Sequence, residues 1–177
     1  MHKGAFPKAG KIVILFFIIT IPFVNISHHR WLGDEGVIIW DIKQYYAYLP
    51  AAVIYNDLSL EFIDENHEFF GKWFWPVETP TGKRAIVTTM GLSYMYSPFF
   101  LLSHLYAKIS PKYDADGFSV PYHVGLTFSA LFYFILGLFF LRKALRHFFP
   151  EGVTALTLFL VGAGTNLLYY IPYEAPM

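Results

Sequence analysis

The sequence predicts an all-α integral membrane protein with three to four transmembrane helices and a large extracytoplasmic loop that contains amphipathic surface helices. Two observations support this fold class. Of the 177 residues, 55% are hydrophobic and 20% are aromatic, whereas only 15% are charged, a balance outside that of soluble globular domains. In addition, four apolar segments recur along the chain, at about residues 12–26, 87–107, 124–141 and 153–171.

The first apolar segment, residues 12–26, follows a basic N-terminal stretch, residues 1–11, which contains Lys3, Lys8 and Lys11. Signal peptides share this pattern, but the bulky and charged residues that follow, SHHRWLGDEG, offer no small-residue cleavage site. We therefore predict an uncleaved first transmembrane helix, with residues 1–11 in the cytoplasm.

The later apolar segments form a membrane domain, residues 85–177, whose sidedness stays open. Residues 124–141 and 153–171 each approach the ~20 residues that cross a ~30 Å hydrocarbon core. The loop between them contains Arg142, Lys143 and Arg146, and the positive-inside rule assigns such a loop to the cytoplasm. Residues 87–107 are diluted by polar side chains and either span the membrane or lie in its interface. We favour a span, although it would place the Arg142 cluster outside.

Residues 27–84 are extracytoplasmic on either alternative, and this loop is too long to be a mere connection. It is acidic, and its Trp73, Phe74 and Trp75 are typical of anchors at the membrane interface. Within it, apolar side chains recur at helical spacing over residues 41–49. We predict an amphipathic surface helix there, in which Asp41 is the N-cap of a capping box with Gln44 and Pro50 ends or kinks the helix near Leu49.

Three carboxylates, Asp34, Glu35 and Asp41, lie close together in sequence just after the first membrane helix, where a carboxylate can serve as a general base. The alternatives are an N-cap for Asp41 and a solvated turn for the Asp34-Glu35 pair. Similarly, Glu174 is either a functional carboxylate at a membrane boundary or a loop residue in water.

We assign no metal ligands and leave the cofactor unknown. A divalent metal on His28 and His29 would need Asp34 or Glu35 to complete its site, and the spacing matches no recognised ligand motif. Histidines that contact phosphate headgroups explain the same residues. Thirteen basic and thirteen acidic side chains cancel, and the positive charges form no stripe, which argues against nucleic acid as a partner.

Three stretches carry a family resemblance: WDIKQYYAYLPAAVIYNDL, TPTGKRAIVTTMGLSYMYSPFFLLSHLYA and GTNLLYYIPYEAPM. With the acidic loop that follows the first helix, they resemble the GT-C superfamily of polytopic membrane glycosyltransferases, near bacterial relatives of the protein mannosyltransferases and aminoarabinose transferases. The resemblance implies transfer of a sugar from a polyprenyl-phosphate-linked donor in the membrane lipid to an acceptor, at the outer face of the bacterial inner membrane. Members have more membrane helices, so we expect this chain to be an N-terminal portion.

The resemblance also implies roles for individual residues. It assigns the catalytic base to Asp41, with Asp34 and Glu35 as competitors, and leaves both the donor sugar and the acceptor unspecified. The substrate-binding residues that it implies contact the donor phosphate, line the cleft or stack on sugar, and they are Lys43, Tyr45, Tyr46, Tyr48, Arg84, His104 and Glu174.

Two other functional classes stay open. One is a transporter or flippase subunit, which would need ionisable groups within its spans, and these are scarce here. The other is a non-catalytic membrane scaffold whose aromatic loop binds a partner. Simultaneous replacement of the three acids, Asp34, Glu35 and Asp41, distinguishes a scaffold from an enzyme. If the protein is a scaffold, the replacement causes no loss of sugar transfer.

Overall fold

The computed structural model describes residues 8–32 and 36–173, with side chains up to residue 170, and most of this part of the chain is helical. The α-helices are α1 (Ala9–Ser27), α2 (Trp40–Val53), α3 (His67–Phe70), α4 (Gly91–Ile109), α5 (Val120–Leu145), α6 (Glu151–Ala163) and α7 (Leu167–Tyr173). A 3-10 helix covers Glu61–Asn66, and two short antiparallel strands, β1 (Val77–Glu78) and β2 (Arg84–Ala85), pair with Val77 opposite Ala85.

The chain divides into two compact units, which we describe separately. The apolar unit contains the described residues up to Arg30 and those from Thr127 onward. The middle unit is Trp31–Leu126. Helix α5 therefore contributes its first residues to the middle unit and the rest of its length to the apolar unit.

Among the described residues, α1 and α5 are long and apolar enough to cross a membrane. They contain the predicted spans 12–26 and 124–141. Only 22% of the apolar window of each helix is buried, whereas the core helix of a soluble protein would be mostly buried. At 1.5 Å per residue, α5 is about 39 Å long, which exceeds the ~30 Å hydrocarbon core.

The other two predicted spans have a different form. Helix α4 covers most of residues 87–107 but is less apolar than α1 and α5, so that its crossing of a membrane stays a prediction. The expectation of one continuous helix over residues 153–171 is wrong. Helix α6 ends at Ala163 and is followed by Gly164, whose N–H donates to the carbonyl of Leu160 (2.8 Å), and α7 begins at Leu167. With 13 residues, α6 is shorter than the ~20 that a span needs.

Close helix contact organises the apolar unit. The side chain of Phe17 in α1 is fully buried, and its ring packs edge-on against Phe134 of α5 at 5.4 Å between centroids. The same ring lies against Gly162 of α6, where an added Cβ would come within 2.4 Å of it. A small residue is therefore required at position 162.

A buried carboxylate joins three segments of the apolar unit. Glu151, at the start of α6, is 5% exposed. Its Oε1 accepts hydrogen bonds from Nε (3.1 Å) and Nη2 (2.8 Å) of Arg142 and from the backbone N–H of Gly10 (3.0 Å), and Oε2 pairs with Nε of Arg146 at 2.8 Å. Charge-assisted bonds of this kind are about twice as strong as neutral ones, so Glu151 fixes the end of α5 against α1 and α6.

Aromatic rings fill the core of the middle unit. Tyr46 of α2 is 1% exposed and packs edge-on against Phe100 of α4 at 5.7 Å. Trp73 stacks on Phe118 at 4.6 Å. Phe74 is 2% exposed and belongs to the same core, so the expectation that it anchors the protein in the membrane interface is wrong. Offset and edge-on ring pairs add to the stabilisation that burial of the rings provides.

The hydroxyls of two tyrosines hold α2 and its C-terminal end to the segment that precedes α5. Tyr46 donates to the carbonyl of Gly117, and Tyr55, just after α2, donates to the carbonyl of Asp116 at 3.1 Å. Burial raises the pKa of Tyr46 well above its ordinary value, and burial together with Asp116 raises the pKa of Tyr55 to about 12. Both hydroxyls therefore remain protonated donors at neutral pH.

A buried histidine fixes the chain on the N-terminal side of α2. The Nδ1 atom of His123 accepts from the backbone N–H of Val37 (3.1 Å), and its Nε2–H donates to the carbonyl of Phe118 (2.9 Å). The backbone of Gly36 passes so close to this ring that an added Cβ would lie 2.4 Å from Nδ1. Gly36 also has a φ of +57°, a backbone conformation that residues other than glycine rarely adopt.

We predict that Gly36→Ala lowers the free energy of unfolding by about 2–4 kcal/mol, because the strain of a positive φ adds to the collision with His123. Gly82→Ala is the matched control, since Gly82 has a φ of +73° but no atom within 4 Å of an added Cβ. The control should lose only about 1 kcal/mol. Thermal unfolding in detergent measures both losses, and equal losses would contradict the His123 contact.

Candidate functional site

The predicted helix around Asp41 exists, but its ends differ from the expectation. Helix α2 begins at Trp40 with Ile39 as its N-cap, so Asp41 is in the first turn and does not cap the helix. Pro50 lies inside α2, which continues to Val53, so the alternative that Pro50 ends the helix near Leu49 is wrong. Pro50 packs against Gly117, where an added Cβ would lie 2.9 Å from it, and this burial offsets the helix bond that proline removes.

The start of α2 presents an acid next to a strained tryptophan. Asp41 is exposed, and no hydrogen bond or ion pair holds its carboxylate to the described part of the chain. Trp40 is 70% exposed and has a φ of 47°, a left-handed conformation that costs a residue with a side chain roughly 1–2 kcal/mol. Strain of this kind concentrates at functional sites. Gln44 and Tyr45, half-buried, follow Asp41 at the spacing that shares its helix face.

Lys43 lies on a different side of α2 from Asp41. Its side chain is 6% exposed, and its Nζ lies 5.5 Å from the ring centroid of Trp73 and 5.3 Å from that of Trp75. Residues two apart on a helix do not face each other, which separates Lys43 from Asp41. Attraction of the ammonium to the two indoles gives Lys43 a structural role, and its contact with a donor phosphate stays a prediction.

The three tyrosines of α2 differ in what they expose. Tyr46 is buried in the core, so its ring faces no cleft, contrary to the expectation that it stacks on sugar. Tyr48 is half-buried and donates to the carbonyls of Ile86 (3.1 Å) and Thr88 (2.7 Å). Tyr45 is half-buried and follows Asp41 by four residues, and its contact with a sugar stays a prediction.

The two other residues predicted to contact the donor phosphate, Arg84 and His104, form contacts within the protein. Arg84 donates to the carbonyl of Leu60 (3.1 Å) and pairs with Asp64 at 2.9 Å. His104 is buried, and its Nδ1 lies 2.6 Å from the hydroxyl of Tyr122. No hydrogen bond or ion pair joins either residue to Asp41. These contacts explain both residues structurally, and their contact with a donor phosphate stays a prediction.

Three predicted site residues, Asp34, Glu35 and Glu174, lie outside the described residues. A metal on His28 and His29 would need Asp34 or Glu35 as a further ligand, and both of these lie outside the described residues. Within residues 8–32 and 36–173, no group of three or more histidine, aspartate or glutamate side chains is positioned to hold a metal ion.

Asp57 organises the chain after α2, and it is not among the site residues that the sequence predicts. Its Oδ1 accepts from both the N–H and the hydroxyl of Ser59 (2.7 Å each), and its Oδ2 accepts from the N–H groups of Glu61 (2.7 Å) and Phe62 (3.1 Å). The hydrogen bond from the Ser59 side chain, with the three backbone bonds, lowers the pKa of Asp57 to about 2. An aspartate followed two residues later by a serine is a turn signal, and this signal identifies Asp57.

Comparison with known proteins adds no relative. The chain matches no protein-family model, no curated protein and no solved structure.

We predict that Asp57→Asn destabilises the middle unit at neutral pH, because an amide accepts fewer of the four hydrogen bonds than a carboxylate does. The lowered pKa sets the pH dependence. The contribution of Asp57 is fully present above its ordinary value of 3.8 and is lost as the pH falls through about 2.

Thermal unfolding of both proteins as a function of pH measures this effect. The difference between wild type and Asp57→Asn should shrink across that acid range. Glu65→Gln, which changes an exposed carboxylate in the same loop, should behave as wild type throughout. A difference that persists unchanged at the acid end would contradict the assignment.

Proposed function

We propose that this protein is a membrane glycosyltransferase of the GT-C type, in which Asp41 deprotonates the acceptor of a sugar from a polyprenyl-phosphate-linked donor. The observation that carries the proposal is the exposed Asp41 carboxylate, which no described residue engages, at the start of a helix fixed by its buried face. This acid lies 14 residues after the end of α1, a helix long and apolar enough to cross a membrane.

The topology that accompanies this proposal has α1 and α5 crossing the bacterial inner membrane, and it takes the alternative in which α4 lies in the membrane interface and does not span. With residues 8–11 in the cytoplasm, α1 leads out and α5 leads back. Asp41 is then outside the cytoplasm, where the donor sugar is used, and the Arg142 cluster is inside, in agreement with the positive-inside rule. Large apolar side chains that α1 leaves exposed, such as Ile12 at 64% and Phe23 at 68%, support contact with lipid.

The proposed step is a displacement at the anomeric carbon of the donor sugar. The Asp41 carboxylate accepts the proton of an acceptor hydroxyl or amine, and the acceptor oxygen or nitrogen bonds to the anomeric carbon. The bond between that carbon and the phosphate oxygen breaks, and the lipid phosphate leaves with the electron pair. Trp40 and Tyr45, next to Asp41 on α2, provide aromatic surfaces for the sugar or the acceptor.

We predict that Asp41→Asn lowers the rate of sugar transfer by about 10²–10⁴-fold, the usual contribution of a general base. The assay uses the full protein in bacterial membranes with radiolabelled polyprenyl-phosphate mannose and polyprenyl-phosphate aminoarabinose. It measures the loss of label from the lipid fraction, which does not require the acceptor to be identified.

Asp114→Asn is the matched control, since Asp114 is an exposed aspartate of the same unit and should retain full activity. Membrane insertion of both variants is compared by extraction with carbonate. Wild-type transfer by a correctly inserted Asp41→Asn would exclude Asp41 as the base.

We predict a further distinction at Trp40. Trp40→Gly and Trp40→Ala both remove the exposed ring, and both should lower transfer if the ring contacts substrate. Only glycine tolerates the left-handed backbone without strain, so Trp40→Gly should be more stable than Trp40→Ala by about 1 kcal/mol. Thermal unfolding compares the stabilities, and unchanged transfer in both variants would remove Trp40 from the site.

A further inference from the structure

The apolar unit contains a groove that is open along one side of α5. The groove has a volume of about 350 Å³, and its walls include Ile18 of α1 with Leu131, Ile135 and Phe139 of α5. Only apolar and aromatic side chains line it. It is therefore suited to hydrocarbon, and water gains no hydrogen-bonding partners from the side chains that line it.

A second cavity, of about 380 Å³, lies at the C-terminal end of α5. Its lining consists of Phe139, Arg142, Lys143, Arg146 and His147. Phe139 lines both this basic cavity and the groove, so the two adjoin. The combined surface is apolar along its length and cationic at one end, and an anionic amphiphile has the complementary form.

The basic cavity has an excess of positive charge. Arg142 and Arg146 share the single carboxylate of Glu151, which holds both guanidinium groups in place. Lys143 is exposed and adds a third cation. His147 donates its Nδ1–H to the carbonyl of Lys143 (2.8 Å), which fixes the turn at the end of α5. One carboxylate against three cations leaves positive charge for an anionic ligand to neutralise.

The length of the groove matches one leaflet of a bilayer. Phe128 and Phe139 are the first and last α5 residues in its wall. At 1.5 Å per residue, the helix between them is about 17 Å long, close to half of a ~30 Å hydrocarbon core. An acyl chain of one leaflet can therefore lie along the groove while its headgroup reaches the basic cavity.

We propose that the groove and the basic cavity bind an anionic phospholipid, with an acyl chain along α5 and the phosphate against Arg142, Lys143 and Arg146. Charge complementarity selects this occupant over a zwitterionic lipid, and the groove selects it over a free phosphate ion. Basic pockets of membrane proteins recognise lipid headgroups by this chemistry. The site does not depend on sugar transfer, so its test requires no enzymatic activity.

Native mass spectrometry of the full protein, released from nanodiscs, tests the proposal. The nanodiscs contain phosphatidylcholine alone or an equal mixture of phosphatidylcholine and phosphatidylglycerol. The wild type should retain phosphatidylglycerol in preference to phosphatidylcholine. Lys143→Gln should reduce the retained phosphatidylglycerol about fivefold, the contribution of one basic residue near a lipid surface.

Lys143→Gln leaves the bonds of Glu151 intact, and Lys72→Gln is the matched control because it removes an exposed lysine of the middle unit. Phe139→Ala supplies a second variant, since Phe139 is 54% exposed and its loss should weaken lipid retention without unfolding the helix. Circular dichroism checks that each variant keeps its helical content.

Three outcomes would overturn the proposal. The first is equal retention of phosphatidylcholine and phosphatidylglycerol by the wild type. The second is phosphatidylglycerol retention that neither Lys143→Gln nor Phe139→Ala reduces. The third is displacement of phosphatidylglycerol by inorganic phosphate at a concentration similar to that of the lipid, which would show that the basic cavity takes the free ion.

Discussion

The middle unit depends on the attachment of α2 to one short segment, residues 116–123. Three hydrogen bonds make this attachment: from the N–H of Val37 before the helix, from the hydroxyl of Tyr46 within it and from the hydroxyl of Tyr55 after it. Each such hydrogen bond adds little net stability, but any other position of α2 would leave a polar partner unpaired inside the protein, which is costly. The three bonds therefore fix the orientation of α2. Helix α2 is therefore held at both ends and in the middle, and its exposed first turn is carried on a rigid support.

The sequence predicts that α2 is helical because a single periodic pattern governs it, but the apolar face that is expected at a membrane surface packs into the core of the middle unit. The apolar spacing of Ile42, Tyr46 and Leu49 matches the face that the structure buries. The ends are less predictable, since they depend on partners that are distant in sequence. Pro50 stays within the helix, where it packs against Gly117, and α2 begins one residue before the predicted cap Asp41, at Trp40, whose backbone is left-handed. Neither the contact with Gly117 nor the backbone strain at Trp40 can be predicted from the local sequence.

For the apolar segments too, the sequence predicts what depends on composition and misses what depends on the folded structure. Hydropathy alone identifies α1 and α5, since length and apolarity are properties of the segment itself. It joins α6 and α7 into one helix, because the break at residues 164–166 changes the mean hydropathy little. The roles of Arg84 and His104 are likewise beyond sequence reasoning, because Asp64 and Tyr122, which engage them, become neighbours only in the folded chain.

The position of Lys43 between two indoles gives the protein an intrinsic optical reporter. Light emission from an indole depends on nearby charge and water, and Trp73 and Trp75 both lie within 6 Å of the Lys43 ammonium. A movement of α2 that withdraws this cation would change their fluorescence. Because Lys43 and Asp41 are carried by the same helix, the emission of these tryptophans reports on the position of the acid without any label at the acid itself.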